Sequence, residues 1–294
     1  MRTAGPPFTV AGMSDHMPAR EGSGSEVPYE RVALGQDRAH SARLYDYFLG
    51  GKTNYIVDRD AARDLIRALP AIETVARVNR SYMRRAVRYA AQQGVRQFLD
   101  LGAGFPSAPN LHEVAQDVAR DCRVIYADTD PIVLVYGDEL LDGTPEGRTR
   151  VVQADVTRPE EILAAMTEQE VFDLDRPVAV SLHAVLHLVP DAERPHDGVS
   201  RLMDQLAPGS YLSLSHCTGD LAPRTWRTVI DVCARHGISA QPRSRSQVRR
   251  FFTGLQLVEP GVVPAHRWRP EVDPGPGILR DGQVCLYAGV ACKR

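Results

Sequence analysis

Phe98-Leu99-Asp100-Leu101-Gly102-Ala103-Gly104-Phe105-Pro106 is an apolar strand that stops abruptly at an acid and two glycines. Upstream, Gly94-Val95-Arg96-Gln97 ends a helical pattern and opens an extended one. Downstream, Asn110-Leu111-His112-Glu113 has the spacing of an N-cap followed by its capping-box acid. The local order is therefore strand, glycine turn, helix. Gly102 and Gly104 carry no Cβ, so backbone can lie close against a ligand. The turn is also expected to aim free helix N–H groups at that ligand. Taken alone, Asp-x-Gly-x-Gly fits a tight turn in any α/β protein.

Two further strands narrow the choice. Val124-Ile125-Tyr126-Ala127 ends in Asp128, and Val151-Val152-Gln153-Ala154 ends in Asp155, with helical segments between. Right-handed crossovers bring all three acids to one edge of a parallel sheet. A single aspartate at a strand end is more often a helix cap, and Asp130 before Pro131 is expected to be one. Three in series after a glycine turn point instead to a nucleoside seat.

The runs Leu99-Asp100-Leu101-Gly102-Ala103-Gly104, Ala108-Pro109-Asn110-Leu111-His112-Glu113, Asp128-Thr129-Asp130-Pro131 and Gly209-Ser210-Tyr211-Leu212 occur in that order. From about residue 42 onward the chain thereby resembles the class I S-adenosylmethionine-dependent methyltransferases. Among them it is most similar to an actinomycete S-adenosyl methyltransferase family formerly treated as a domain of unknown function. The resemblance implies an α/β, doubly wound, Rossmann-like sheet of seven strands, the last antiparallel, with an N-terminal helical extension. It implies S-adenosyl-L-methionine as cofactor and does not name an acceptor. Gly102, Ala103 and Gly104 would lie against the cofactor's amino-acid part, with Asp100 on its ammonium group. Asp128 would accept both ribose hydroxyls with Thr129 beside it, Asp155 the adenine amino group, and the Val156 N–H would reach a ring nitrogen.

The 294 residues, 43% of them hydrophobic, suffice for a large core. The expected organisation is a disordered tail at 1–27, rich in Gly, Pro and Ser, then a helical cap at 28–94 and the cofactor-binding domain at 95–294. Met13 or Met17 is an alternative start. A formal net charge of −2 supplies no basic field for nucleic acid or anionic membrane. Nearly all basic residues are arginine, only Lys52 and Lys293 being lysine. Five scattered cysteines without a Cys-x-x-Cys pair favour reduced thiols in a cytoplasm over disulfides or zinc. No apolar run approaches the roughly 18 residues of a membrane span, and no signal-peptide pattern opens the chain. The expected partner is a small molecule; the oligomeric state stays open.

Along the chain, Leu44, Tyr47 and Phe48 fit a short helix broken at Gly50-Gly51. Asp58 is expected to cap a second helix, and a third runs from about 74 to 93 with Arg77, Arg80, Arg84, Arg85 and Arg88 as a solvated face. The segment 49–55 between the first two is expected either to fold over the cofactor, with Tyr47, Asn54 and Tyr55 as lid or substrate contacts, or to be an ordinary loop. Later strands are read at 177–182, 210–216, 255–263 and 283–290. The proline-rich stretch 264–276 is read as a long hairpin connection, with a substrate-side flap as the alternative.

His183 and His187 are four apart, but position 184 is Ala and no third ligand presents itself, so no metal is expected. His183, where the fourth strand ends, is the candidate general base or cofactor-lining residue, with a packed histidine as the bland alternative. His216 at the end of the fifth strand is a second such candidate. Two other functions compete with a methyltransferase. One is a catalytically silent cofactor-binding regulator. The other is a nicotinamide-dependent oxidoreductase, disfavoured because Ser107 stands where the third glycine of Gly-x-Gly-x-x-Gly belongs.

Overall fold

The computed structural model describes residues 35–169, 171–271 and 279–294. Three helices come first: α1 (Ser41–Phe48), α2 (Ile56–Ala68) and α3 (Ile72–Gln92). Parallel strands β1 (Gln97–Leu101), β2 (Arg123–Asp128) and β3 (Arg148–Gln153) alternate with α4 (Leu111–Val118), α5 (Pro131–Leu140) and α6 (Pro159–Glu168). β4 (Val178–His183), α7 (Pro195–Asp204), β5 (Tyr211–Cys217), α8 (Pro223–Arg235) and α9 (Arg245–Arg250) follow. Two short strands, β6 (Gln256–Leu257) and β7 (Val263–Pro264), precede a one-turn helix α10 (Asp281–Val284) and β8 (Leu286–Cys292).

The sheet runs β3-β2-β1-β4-β5-β8-β6, with β7 pairing β8. β1 to β5 are parallel; β8 runs antiparallel against β5, β6 and β7. Strands β1, β2 and β4 are almost continuously buried, as expected where helices cover both faces of a parallel sheet. Chain order reverses beside β1, the place where open α/β sheets leave a crevice at the strands' carboxyl ends.

The antiparallel last strand and the Rossmann-like order are as expected; among the described residues the sheet has eight strands, one more than expected because one predicted strand is split. The predicted strand at 255–263 is split into β6 and β7. Pro260 has no N–H to donate, and Gly261 takes φ +79° with its N–H on Val258 O, so the ladder breaks at that corner. Asp58 sits inside α2 rather than before it. Tyr55 is the N-cap, and Asp58 accepts its N–H at 2.8 Å. The buried Asp58 carboxylate also meets Arg43 at 3.1 Å and so ties α1 to α2.

Helices α1 to α3 fall in the same compact unit as the sheet. Tyr82 of α3 donates to Gly289 O of β8 at 2.6 Å. The expected tail at 1–27 and the alternative starts lie outside the described residues, as do 272–278 of the proline-rich stretch. The described part of that stretch is exposed at Arg267 and from Arg269 to Glu271 but packs inward at Ala265 and Trp268. Trp268 is wholly buried and edge-on to Tyr82 and Tyr89, and Arg85 donates to Trp268 O and Ala265 O at 2.8 and 2.7 Å. Arg85 therefore leaves the predicted solvated face.

Candidate active site

One cavity of about 400 Å³ follows the carboxyl edge of the sheet. Asp100, Gly102, Ala103 and Gly104 after β1, Asp128 and Thr129 after β2, Asp155 and Val156 after β3, and His183 of β4 all line it. Nine of the thirteen candidate residues are thus brought together. Tyr47, Asn54, Tyr55 and His216 are not among its lining residues.

The departures have local causes. Asp46 accepts the Thr53 N–H at 2.9 Å and the Asn54 amide at 3.0 Å, which curls the 49–55 loop onto the end of α1. Tyr55 opens α2 with its ring under Arg43, and Tyr47 packs edge-on to Phe48. His40, Leu44, Tyr45 and Phe48 face the cavity in their place. His216 is fully buried, its Nε2 2.9 Å from Arg243 Nη1 and its Nδ1 2.8 Å from Cys217 O.

The glycine turn is held by β2. Gly102 and Ala103 donate to Ala127 O at 2.9 and 3.1 Å, and Gly104 donates to Asp128 Oδ2 at 2.9 Å. Gly102 has φ +71°, and a Cβ there would come 2.6 Å from Val185 Cγ2. Gly104 has φ +65°, but a Cβ there would meet no protein atom within 4 Å, so the room beside it belongs to the cavity. Helix α4 begins seven residues after Gly104, under the expected Asn110–Glu113 capping box. The His112 N–H already donates to Tyr126 OH at 2.8 Å. The expectation of free helix N–H groups aimed at a ligand is not met.

The three acids differ. Asp128 also accepts the Thr129 and Asp130 N–H groups at 2.8 and 3.0 Å, so three donors occupy a carboxylate with about four lone-pair sites. Asp155 accepts from the Thr157 N–H and hydroxyl through Oδ1 alone. Asp100 is 9% exposed and has no hydrogen bond to any described residue. Burial pushes its pKa up to about 7, against the pull of Arg80 and with a smaller push from Asp128. Asp130 caps α5 as expected, accepting the Ile132 N–H at 2.9 Å.

His183 places Nε2 2.9 Å from Ser213 Oγ and leaves Nδ1 buried without a partner. Burial, and then Arg80, push its pKa down to about 3, so the ring is neutral. The next residue, Ala184, takes φ +57°, a strained region for a side chain with a Cβ. Its N–H is held by Ser215 O and Oγ at 3.1 and 2.9 Å. Ser215 Oγ donates to Asn79 Oδ1 at 2.5 Å, Asn79 Nδ2 to Tyr45 OH at 2.8 Å, and Tyr45 OH to Ala76 O at 3.1 Å. This chain of bonds links β5, α3 and α1 across one wall. Burial, opposed by the Asn79 bond, pushes the Tyr45 phenol up to about 12.

Sequence reasoning missed Arg80, Tyr45, Asn79, His40 and His187, all of which line the cavity. Asn79 carried a signal, being a polar residue on the inward stripe of Val75, Val78 and Tyr82. Arg80 shares a stripe with Ala76, Met83 and Val87 and holds the turn's far end through Ser107 O and Pro109 O. Burial pushes His187 down to about 4, and its Nδ1 is also without a partner. No group of three or more metal-binding side chains occurs among the described residues.

The S-adenosyl methyltransferase family profile matches residues 29–294. A DUF574 family protein of Streptomyces avermitilis MA-4680 is 43% identical, with TM-score 0.85 over 89% of this chain and 100% of that one. A protein of Thermobifida fusca YX is 35% identical, with TM-score 0.82 over 91% of this chain and 99% of that one. The plantazolicin methyltransferase BamL, crystallised with S-adenosylhomocysteine and a triazolic substrate analogue, shares the fold at 10% identity and TM-score 0.50, over 86% of this chain and 95% of its own. Among proteins of curated function, none matches the chain in sequence.

Proposed function

The chain belongs to the S-adenosyl methyltransferase family, and from that premise we propose that it moves a methyl group from S-adenosyl-L-methionine to a small-metabolite acceptor at the cavity. One observation carries the reading: acids from three successive strands meet around one cavity, and the carboxylate of the buried Asp100 makes no hydrogen bond to a described residue. The residues present fit the cofactor. Asp100 would hold its ammonium group, with the open space beside Gly104 receiving the amino-acid part. Asp128 has room to accept one ribose hydroxyl on Oδ2, not the two expected. Asp155 Oδ2 is free to accept from the adenine amino group, with Thr129 and Val156 beside it.

When bound, the cofactor supplies a methyl carbon on a sulfonium whose positive charge disappears on transfer. The protein's task is then to align the acceptor and exclude water. His183 Nδ1 is the atom available to take a proton from the acceptor. Burial and Arg80 leave the ring neutral with a free lone pair but make it a weak base, so it would take the proton only as the methyl group is transferred. A proton gained there as the sulfonium charge is lost leaves the net charge of the cavity unchanged.

A dinucleotide-binding oxidoreductase is not favoured, because the helix N–H groups that would seat a pyrophosphate are capped by Glu113 and Tyr126. Among the described residues no helix is long and apolar enough to cross a membrane; with five free thiols, this supports a cytoplasmic reading. Calorimetric titration tests the cofactor: S-adenosylhomocysteine gives a saturable one-to-one heat, and NAD and NADP give none. Labelled methyl transfer into metabolite extracts tests the activity. Persistent silence alongside tight S-adenosylhomocysteine binding would favour the regulator.

A further inference from the structure

The strand order turns the cavity into a one-dimensional sequence of chemistries. Across the sheet its lining reads Asp155 at β3, Asp128 at β2, Asp100 at β1, His183 at β4, Cys217 at β5 and Leu286 at β8. All three strand-end aspartates thus lie on one side of β4. The other side is closed by carbon from helices that have no part in the nucleoside seat: Leu65 and Leu69 of α2 and Trp226, Val229 and Cys233 of α8. These residues are buried and belong to one hydrophobic cluster.

Of the polar groups on that side, Tyr45 OH is bonded to Ala76 O and Asn79 to Tyr45 and Ser215, while the neutral Trp226 Nε1 and His187 Nδ1 are left without partners. Cys233 has its pKa pushed up to about 11 by burial and presents a neutral thiol. The one carboxylate lining the cavity beyond β4, Glu193, is on an exposed turn. A charged ligand group placed among these residues would lose its water and meet no opposite charge among the lining residues of α2 or α8, which is strongly unfavourable. With strands about 4.8 Å apart, the width from β4 to β8 is about 10 Å.

We propose that this half of the cavity receives an uncharged, largely hydrocarbon or aryl acceptor about 10 Å long, whose single protic group lies at His183 Nδ1. The inference rests on the methyltransferase reading and specifies its substrate class. The acceptor's O–H or N–H proton would go to His183 as the heteroatom–carbon bond forms and the sulfonium carbon–sulfur bond breaks, its electron pair leaving with sulfur, so that the heteroatom would end neutral and methylated.

The test is calorimetry on the full chain saturated with S-adenosylhomocysteine, using three probes with one ring system: naphthalene-2-methanol, 2-naphthoate and 2-naphthylmethylammonium. The alcohol binds one-to-one, and both ions bind more than about tenfold more weakly. Val229→Arg, with S-adenosylhomocysteine binding as the check of folding, lowers the alcohol's affinity about tenfold or more. The inference is overturned if either ion binds within tenfold of the alcohol, or if the alcohol gives no heat while S-adenosylhomocysteine binds. Failure of S-adenosylhomocysteine itself to bind overturns the methyltransferase reading, and this inference with it.

Discussion

Asp100 and Arg243 are both buried charges, 9% and 1% exposed, yet they are treated in opposite ways. Arg243 donates to Leu186 O and Val189 O at 2.7 and 2.9 Å and to Asp191 Oδ1 at 2.6 Å, lies 2.9 Å from His216 Nε2, and sits over the Phe251 ring. Asp100 has no such partner among the described residues, and its pKa has moved instead. A charge whose hydrogen bonds are all made inside the protein is framework, because removing it strands its partners. A charge left without them beside a cavity is a candidate ligand contact. Arg243 fixes the turn after β4 that carries His187; Asp100 waits at the end of β1.

Replacing each charge by a neutral side chain of similar shape is the strongest way to break this contrast. Arg243→Met should cost about 3–5 kcal/mol of stability, visible as a lower denaturation midpoint. Asp100→Asn should leave the midpoint nearly unchanged but weaken S-adenosylhomocysteine binding by about 1.5–3 kcal/mol. Equal losses of stability in the two variants would end the distinction.

The pH dependence sharpens it. The folded protein keeps the Asp100 proton up to about pH 7, whereas an unfolded chain releases it near the ordinary carboxylate value of 3.8. Between those values the folded state binds more protons, so this group's contribution to stability falls as pH rises, by at most about 1.4 kcal/mol per unit. Binding of an ammonium group requires the ionised form, so S-adenosylhomocysteine affinity should rise through pH 7. Asp100→Asn should flatten both profiles, as measured by denaturation and calorimetry across that range.

Asp128 lies between the two extremes, since its carboxylate both braces the turn and faces the cavity. Asp128→Ala should weaken S-adenosylhomocysteine binding by about 1–3 kcal/mol, and unchanged binding would remove it from the site. The smallest effects belong to the glycines. Gly104→Ala adds backbone strain of about 1–2 kcal/mol, whereas Gly102→Ala adds a collision with Val185 and should be the worse of the two in thermal melts.

The parts of the molecule legible in the sequence are those where a local pattern carries the whole cause. An apolar run ending in an acid marks both a strand and the residue at its carboxyl end, so β1 to β3 and the cavity-lining positions of Asp100, Asp128 and Asp155 were readable together, although β3 itself is largely unburied. So was the Asp130-Pro131 cap. The lid was not readable, because whether Asn54 turns to a ligand or to Asp46 depends on a hydrogen bond that no spacing encodes. Arg80 and Arg85 were hidden by abundance, as only tertiary packing separates them from exposed neighbours such as Arg77. Proline-rich composition around Trp268 suggested a loop and concealed an aromatic wedge against α3. His216 had the right strand end but the wrong neighbour, a buried guanidinium 27 positions further along.

The placement of β8 beside β5 has a consequence for synthesis. A ribosome has delivered all three cavity aspartates by residue 155, but Leu286 of the opposite wall emerges 131 residues later. At 5–20 residues per second that delay is on the order of ten seconds. During it the greasy side of the chamber stands unroofed in water, and the growing chain needs shelter there long before it can work.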